Sequence, residues 1–282
     1  MANHTRLTNW LVENRATMNP HFTEYTWPKR YFHGIHDIEA RITLRDISNG
    51  SRKGRMIDSC GRGIDANQEL ALEKASSEAI ERLICLRFGF DSEGFAISGR
   101  NGAAEHAKDE ALERYYFKSH VDNGRPFSQI DSSSTRQLIE RFKLQNANFD
   151  MIFYRMATPE DVSGVVCTIA GSNQEPFFLG LALNCDLEIS ASRAMNESLA
   201  NYARFCDEPE SYRAEVEKNK DAWISKPNFL RSIQSLFTTN ETIKLLIEPP
   251  ELASEFIDTS TFHPLRGCPI EPVRFYVKGV SL

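Results

Sequence analysis

Residues 76–82 read SSEAIER and residues 108–114 read KDEALER, so the pattern E-x-x-E-R occurs twice, as Glu78, Glu81, Arg82 and as Glu110, Glu113, Arg114. On a helix, residues three and four apart share a face, so each motif projects two carboxylates and a guanidinium together. Two readings fit these residues. One is a solvated Glu–Arg pair, contributing roughly 0.3–0.5 kcal/mol. The other is a cation site. The neighbours are small and apolar, Ala75, Ala79 and Ile80 in one stretch and Ala107, Ala111 and Leu112 in the other. Carboxylates close to a buried edge repel one another unless a cation neutralises them. Each stretch also follows a glycine pair, Gly61/Gly63 or Gly99/Gly102, expected to form turns whose backbone N–H groups can hold phosphate. Glutamates for Mg²⁺, arginines for phosphate oxygens and free amides together suit a nucleotide triphosphate.

The composition narrows the classes. Of 282 residues, 41 % are hydrophobic and 26 % charged, as in an ordinary globular protein. A net charge of −6 argues against nucleic acid, which selects a basic stripe. No run approaches the roughly 18 apolar residues of a membrane span, and the N-terminus has no secretory pattern. A cytoplasmic protein is expected. Cys60, Cys85, Cys167, Cys185, Cys206 and Cys268 are scattered without C-x-x-C pairs, so free, mostly buried thiols are expected rather than a zinc site or disulfides.

The elements that must position these groups alternate between strand and helix. Strand patterns occur at IHDIEARITLRD, RMIDS, GFAIS, FDMIFYRMA, VSGVVCTIAG, PFFLGLALN and VRFYVKGV. Helical spacing runs from Ala66 to about Arg87, Ala103 to Phe117, through RQLIERFKLQN and from Leu187 to Phe205. Further helices are expected at FLRSIQSLF, ETIKLLI and PELASEFI, and turns at NGSRKG and GRNG. Strand, glycine turn and helix follow one another three times, near Gly61, Gly99 and Gly180, as a weak internal repeat. The expected organisation is a single mixed α/β domain over residues 31–282 behind an N-terminal extension, residues 1–30.

Three stretches in order resemble the signatures of the YcaO family. CGRGIDANQELALEKASSEAIERL resembles the first, a glycine turn and a helix ending in E-x-x-E-R. SGRNGAAEHAKDEALERYYF resembles the second. GLALNCDLEISASRAMNESLANYARF resembles the third, a glycine-led strand before an R-A-x-x-E helix. The third departs from the family's E-x-x-E-x-x-Q, holding Ala194, Glu197 and Ala200 at those positions, and the chain ends without a P-x-P-x-P tail.

The resemblance implies a mixed α/β nucleotide-binding domain, neither Rossmann nor P-loop. It implies an ATP- and Mg²⁺-dependent enzyme that phosphorylates a backbone amide oxygen of a ribosomally made precursor peptide, so that a nucleophile adds to the amide carbon. A Cys, Ser or Thr side chain gives an azoline; sulfide gives a thioamide. Azoline-forming cyclodehydration is the leading expectation, thioamidation the second. A non-catalytic scaffold subunit of a peptide-modifying complex is the rival from another class. The carried-over roles make Glu78, Glu81, Glu110, Glu113 and Glu197 the metal ligands. Arg82 lies close to phosphate, and Arg114 and Arg193 support the acids. Arg62, in the Gly61–Gly63 turn, takes the position of the family's lysine, and Asn184 and Glu188 are further nucleotide or metal contacts. Arg274, in the last strand, reaches phosphate from the C-terminal side. The expected partners are the peptide and a separate leader-peptide-binding protein, of ubiquitin-activating-enzyme-like or TfuA type, in a homo- or hetero-oligomer.

Other polar residues carry blander expectations. His33 and His36 form an H-x-x-H without a third ligand, His263 is a turn residue, and Cys60 packs beside its glycine. Lys53 and Arg55 belong to a solvated turn. Trp10, Trp27 and Trp223 pack.

Overall fold

The computed structural model describes residues 6–26, 34–45, 56–89, 95–98, 103–144, 146, 148–171, 177–218, 227–238, 249–259 and 262–278. They form two compact units. The first comprises the described residues of Met1–Pro28, Gly34–Lys108 and Leu252–Tyr276, the second those of Asp109–Glu251 and Val277–Leu282. The fold is mixed α/β, as the sequence predicts; its sheets are largely antiparallel and do not form a doubly wound parallel sheet.

In the first unit, strands β1 (Pro20–Glu24), β2 (His36–Arg45) and β3 (Met56–Asp65) form a sheet in that order, with β2 and β3 paired from His36↔Asp65 to Arg45↔Met56. Ile38, Ala40, Ile42 and Leu44 alternate along β2 and face inward, because a strand turns every second side chain to the same side. Helix α3 (Gln68–Phe88) covers that face with Ala71, Ala75, Ala79, Ile80, Leu83 and Ile84. Its start is fixed by Asn67, whose side chain accepts from Glu69 N (2.9 Å) and Leu70 N (3.2 Å). Its end is closed by Gly89 at φ 77°, a left-handed conformation that suits glycine. Before them come α1 (Arg6–Glu13) and α2 (Arg15–Met18). Leu7, Trp10, Leu11 and Met18 join the core of this unit, and the Glu73 carboxylate accepts from Leu7 N, Thr8 N and the Thr8 hydroxyl.

A second sheet of the first unit orders β10 (Leu252–Phe256), β11 (Glu271–Val277) and β4 (Phe95–Ser98). LASEF is therefore a strand, not the helix its composition predicts. Pairing with β11 overrides helical propensity, which is a weak prior. The expected helix at ETIKLLI and the turns NGSRKG and GRNG lie outside the described residues, as do His33, Lys53, Trp27 and Trp223.

Helix α4 (Ala103–Asp122) enters the second unit at Asp109. The sheet there runs β8 (Phe177–Asn184), β7 (Ser163–Gly171), β6 (Phe149–Met156), β5 (Phe127–Gln129) and β9 (Phe237–Thr238), of which only β5 and β9 pair in parallel. Helices α5 (Ser133–Lys143), α6 (Leu187–Asp207), α7 (Pro209–Lys218) and α8 (Pro227–Ile233) complete it. One core cluster joins Phe117, Phe127, Val166, Leu179, Leu181 and Ile233. Phe127 stacks against Phe117 at 5.6 Å and Phe237 at 4.8 Å, and the buried His120 ring lies 4.5 Å from it. All six cysteines are free thiols; Cys85 and Cys167 are buried, Cys185 exposed.

Candidate functional site

The first E-x-x-E-R lies on α3 against β3. Gly61 and Gly63 belong to that strand and do not form a turn, which corrects the sequence reading of both glycines and of Arg62 between them. Their role is proximity. A β-carbon on Gly61 would stand 2.1 Å from Ala79 N, and one on Gly63 1.8 Å from Ala71 O. Only glycine lets helix and strand come this close. Among the described residues β3 ends its sheet, so an amide pointing away from the hairpin needs a partner from elsewhere. Glu78 supplies it, accepting from Arg62 N at 2.5 Å. The other Glu78 oxygen pairs with Arg82 Nη2 at 2.5 Å, and Arg82 Nη1 donates to Cys60 O at 3.1 Å. The Glu78 carboxylate holds the Arg82 guanidinium above its usual pKa, while burial pushes the Cys60 thiol up.

The Arg62 side chain turns the other way. Its Nε donates to Asp37 Oδ1 at 2.7 Å, its Nη2 donates to Asp37 Oδ2, and the guanidinium lies 5.1 Å from the centre of the Tyr25 ring. Asp37 is fully buried and Arg62 largely so. Sequence reasoning missed Asp37, which lies on the face of β2 opposite Ile38, Ala40, Ile42 and Leu44, among the polar positions Glu39, Arg41 and Thr43, and so carried no periodic signal. Glu81 is half-buried on the same helix. Arg274 pairs with Glu255 at 3.5 Å on the other sheet of this unit, and His36 with Glu24 at 2.9 Å. A cavity of about 760 Å³ between Phe256 and Pro272 is lined by His263, Arg266 and Cys268 and by none of the predicted site residues.

The second unit repeats the arrangement on β8 and α6. A β-carbon on Gly180 would stand 2.1 Å from Ala194 O, and Leu181 N donates to Glu197 Oε2 at 2.7 Å. A constant offset in residue number relates the two: Gly61 to Gly180, Arg62 to Leu181, Asp65 to Asn184, Asn67 to Asp186 and Glu78 to Glu197. The contacts correspond too. Asp186 caps α6 as Asn67 caps α3, Asn184 accepts from Asp186 N as Asp65 accepts from Asn67 N, and both helices span 21 residues. The structural echo of α3 is thus α6, although α4 resembles it more in sequence.

The charges differ between the copies. Where the first has Asp37, Glu81 and Arg82, the second has Gly164, Ala200 and Asn201. Ala194 and Ala200 are both buried, where an acid or amide would lack water. Cations come to Glu197 from α4 instead. Arg114 Nη2 is 3.8 Å from Glu197 Oε1, and Arg114 Nε is 3.9 Å from Glu113 Oε1. Burial, with the Glu197 carboxylate adding to it, pushes the Glu113 carboxyl up to about 7 against the pull of Arg114 and Arg193. Glu110 is half-buried, whereas Glu188 and Arg193 are exposed. Among the described residues no three His, Cys, Asp or Glu side chains gather as a metal-holding group.

No protein-family model and no curated protein sequence matches the chain. Solved structures do. The structure of YcaO from Methanopyrus kandleri bound with AMPPCP and Mg²⁺ aligns over 99 % of this chain and 91 % of its own, with a TM-score of 0.60 and 11 % identity. The fold is the YcaO fold. A heterocyclase in complex with substrate and cofactor aligns over 98 % of this chain, again at TM-score 0.60 and 11 % identity. The chain spans about half of that heterocyclase, 52 % of its length. Within that fold the strand–glycine–helix contacts of Gly61 and Gly180 seat Glu78 and Glu197 against the ends of their sheets. Among the described residues no helix is long and apolar enough to cross a membrane.

Proposed function

We propose that this YcaO-fold chain uses ATP and Mg²⁺ to activate a backbone amide in a ribosomally synthesised precursor peptide, and that the product is an azoline formed from a Cys, Ser or Thr residue. The observation that carries the reading is the pair of glycine-seated glutamates, Glu78 and Glu197, within a fold like that of a protein solved with AMPPCP and Mg²⁺. In the proposed reaction the γ-phosphoryl of ATP goes to the amide oxygen, and the neighbouring thiol or hydroxyl adds to the amide carbon. Phosphate then leaves, so the peptide loses one water.

The donor set fits a hard divalent cation. Mg²⁺ is bound by one or two carboxylates plus substrate phosphates rather than by an all-protein cage, which agrees with carboxylates that, among the described residues, do not gather in threes. Burial, with Glu197 adding to it, raises the Glu113 carboxyl, and a bound cation would favour its ionised form. In the first unit Glu78 and Glu81 are the proposed ligands, and in the second Glu113 and Glu197, with Glu110 as a further acid. Bound Mg²⁺ would neutralise the triphosphate and polarise the transferred phosphoryl. Arg82, Arg114 and Arg193 are proposed to hold charge beside the carboxylates. Arg62, Asn184, Glu188 and Arg274 are weaker proposals, since Arg62 and Arg274 already pair with acids and the Asn184 carbonyl holds a helix cap.

The setting we propose is the cytoplasm, with a separate leader-peptide-binding partner. The test is ATP consumption in the presence of a Cys/Ser/Thr-rich precursor peptide and that partner, followed by mass spectrometry of the peptide. Loss of one water supports azoline formation, and exchange of oxygen for sulfur indicates a thioamide. The buried Ala194 and Ala200 favour one second reading, a scaffold subunit. It predicts unchanged ATP and peptide and a complex that falls apart without this chain.

A further inference from the structure

The two copies of the hairpin–helix module treat their glutamates alike on one side and differently on the other. In both, the oxygen nearer the sheet takes the N–H of the residue after the close-packed glycine, Arg62 in one and Leu181 in the other. In the first copy the remaining oxygen meets a guanidinium one helical turn on, Arg82, within α3 itself. In the second copy the corresponding position is Asn201, and the guanidinium that faces the remaining oxygen of Glu197 is Arg114, from α4. A carboxylate held on one side by an amide and on the other by a cation has a fixed plane, which a single hydrogen bond does not give.

We infer that Arg114 is the positioning residue of Glu197, supplying from α4 the cation that Arg82 supplies to Glu78 from within α3. The Arg114 side chain is 18 % exposed against 42 % for Arg82, whereas the acids run the other way, Glu197 at 41 % and Glu78 at 31 %. Arg114 also lies beside Glu113, so one guanidinium serves two acids. The inference rests on the proposed nucleotide chemistry only for what Glu197 does once it is oriented.

The test reads the Leu181 amide directly. Gly180–Leu181 is the only Gly-Leu step in the chain, so protein carrying carbonyl-¹³C glycine and ¹⁵N leucine gives one resolved cross-peak. In Arg114→Ala that peak is expected to move and its N–H to exchange with solvent on the order of tenfold faster. Adding Asn201→Arg, which places a guanidinium where the first copy has Arg82, is expected to return both towards the parent values, and Arg114→Lys is expected to shift them least. If alanine fails to fold, Arg114→Gln, of similar reach and without charge, carries the same comparison. A peak unmoved by loss of Arg114 overturns the inference, and so does a displacement that Asn201→Arg leaves uncorrected. ATP turnover, measured on the same variants, should fall with Arg114→Ala and recover with Asn201→Arg. A parent protein without turnover would sink the proposed function and leave the amide result standing.

Discussion

Gly180 lies so close to α6 that a β-carbon on it would stand 2.1 Å from the carbonyl oxygen of Ala194, and Gly61 stands in the same relation to α3. Backbone cannot swing away as the tip of a side chain can. Gly61→Ala and Gly180→Ala are each expected to cost at least about 2 kcal/mol, at the upper end of overpacking effects. Urea unfolding of the two variants checks this, and a midpoint equal to the parent's would refute the close packing.

Glu78 has two separable duties. Glutamine keeps an oxygen for the Arg62 amide but loses the charge, whereas alanine leaves that amide unpartnered. Glu78→Gln is expected to unfold within about 0.5 kcal/mol of the parent and Glu78→Ala about 1–2 kcal/mol below it. Both are expected to abolish ATP turnover. Full turnover in Glu78→Gln would remove this residue from the proposed metal ligands.

The buried Asp37–Arg62 pair predicts a larger effect. Removing one partner of such a pair leaves the other charge uncompensated, so Asp37→Ala is expected to cost about 3–5 kcal/mol. The thermal unfolding temperature of Asp37→Ala should recover partly when Arg62→Leu is added, because the copy in the second unit carries Gly164 and Leu181 at these positions and folds without the pair.

Two buried groups set opposite pH trends. Burial lowers the His120 pKa in the folded chain, where Nε2 accepts from Ala157 N at 2.6 Å. A histidine that is harder to protonate when folded contributes stability that is full above its unfolded pKa of about 6.5 and is lost as pH falls below it. His120→Gln should flatten the decline of the urea midpoint between pH 7.5 and 5.5.

Glu113 runs the other way. Its folded value near 7 against 4.5 means that the folded state binds the extra proton, so its contribution is lost as pH rises from 4.5 through 7. Glu113→Gln is therefore expected to be stabilising at pH 8 by about 1–3 kcal/mol and nearly neutral at pH 4.5. A pH-independent difference would show that Glu113 is not buried beside Glu197.

Much of the architecture was legible because its signals are local. The alternation of Ile38, Ala40, Ile42 and Leu44, and the helical spacing from Ala71 to Ile84, each follow from one element's own periodicity. What misled was chemistry that depends on a second element. Gly61 and Gly63 look like a turn by composition, but they are glycines because α3 presses on the strand. The acid that neutralises Arg62 is in β2, at no fixed spacing from it. The E-x-x-E-R echo pointed from α3 to α4, whereas the structural counterpart is α6, where only Glu197 of the charged set persists. The sequence does carry the shared glycine, Gly61 and Gly180, but what makes the two copies equivalent is the edge amide each glutamate accepts from, a contact between elements.

Glu78 and Glu197 each occupy an amide on the end strand of their sheet among the described residues. An edge whose N–H is already taken by a negative charge offers no template for a stray strand from another molecule. Replacing either glutamate by alanine would therefore do more than silence chemistry: it would uncover a sticky border. Inactive alanine variants should lose solubility on storage, and glutamine variants should not.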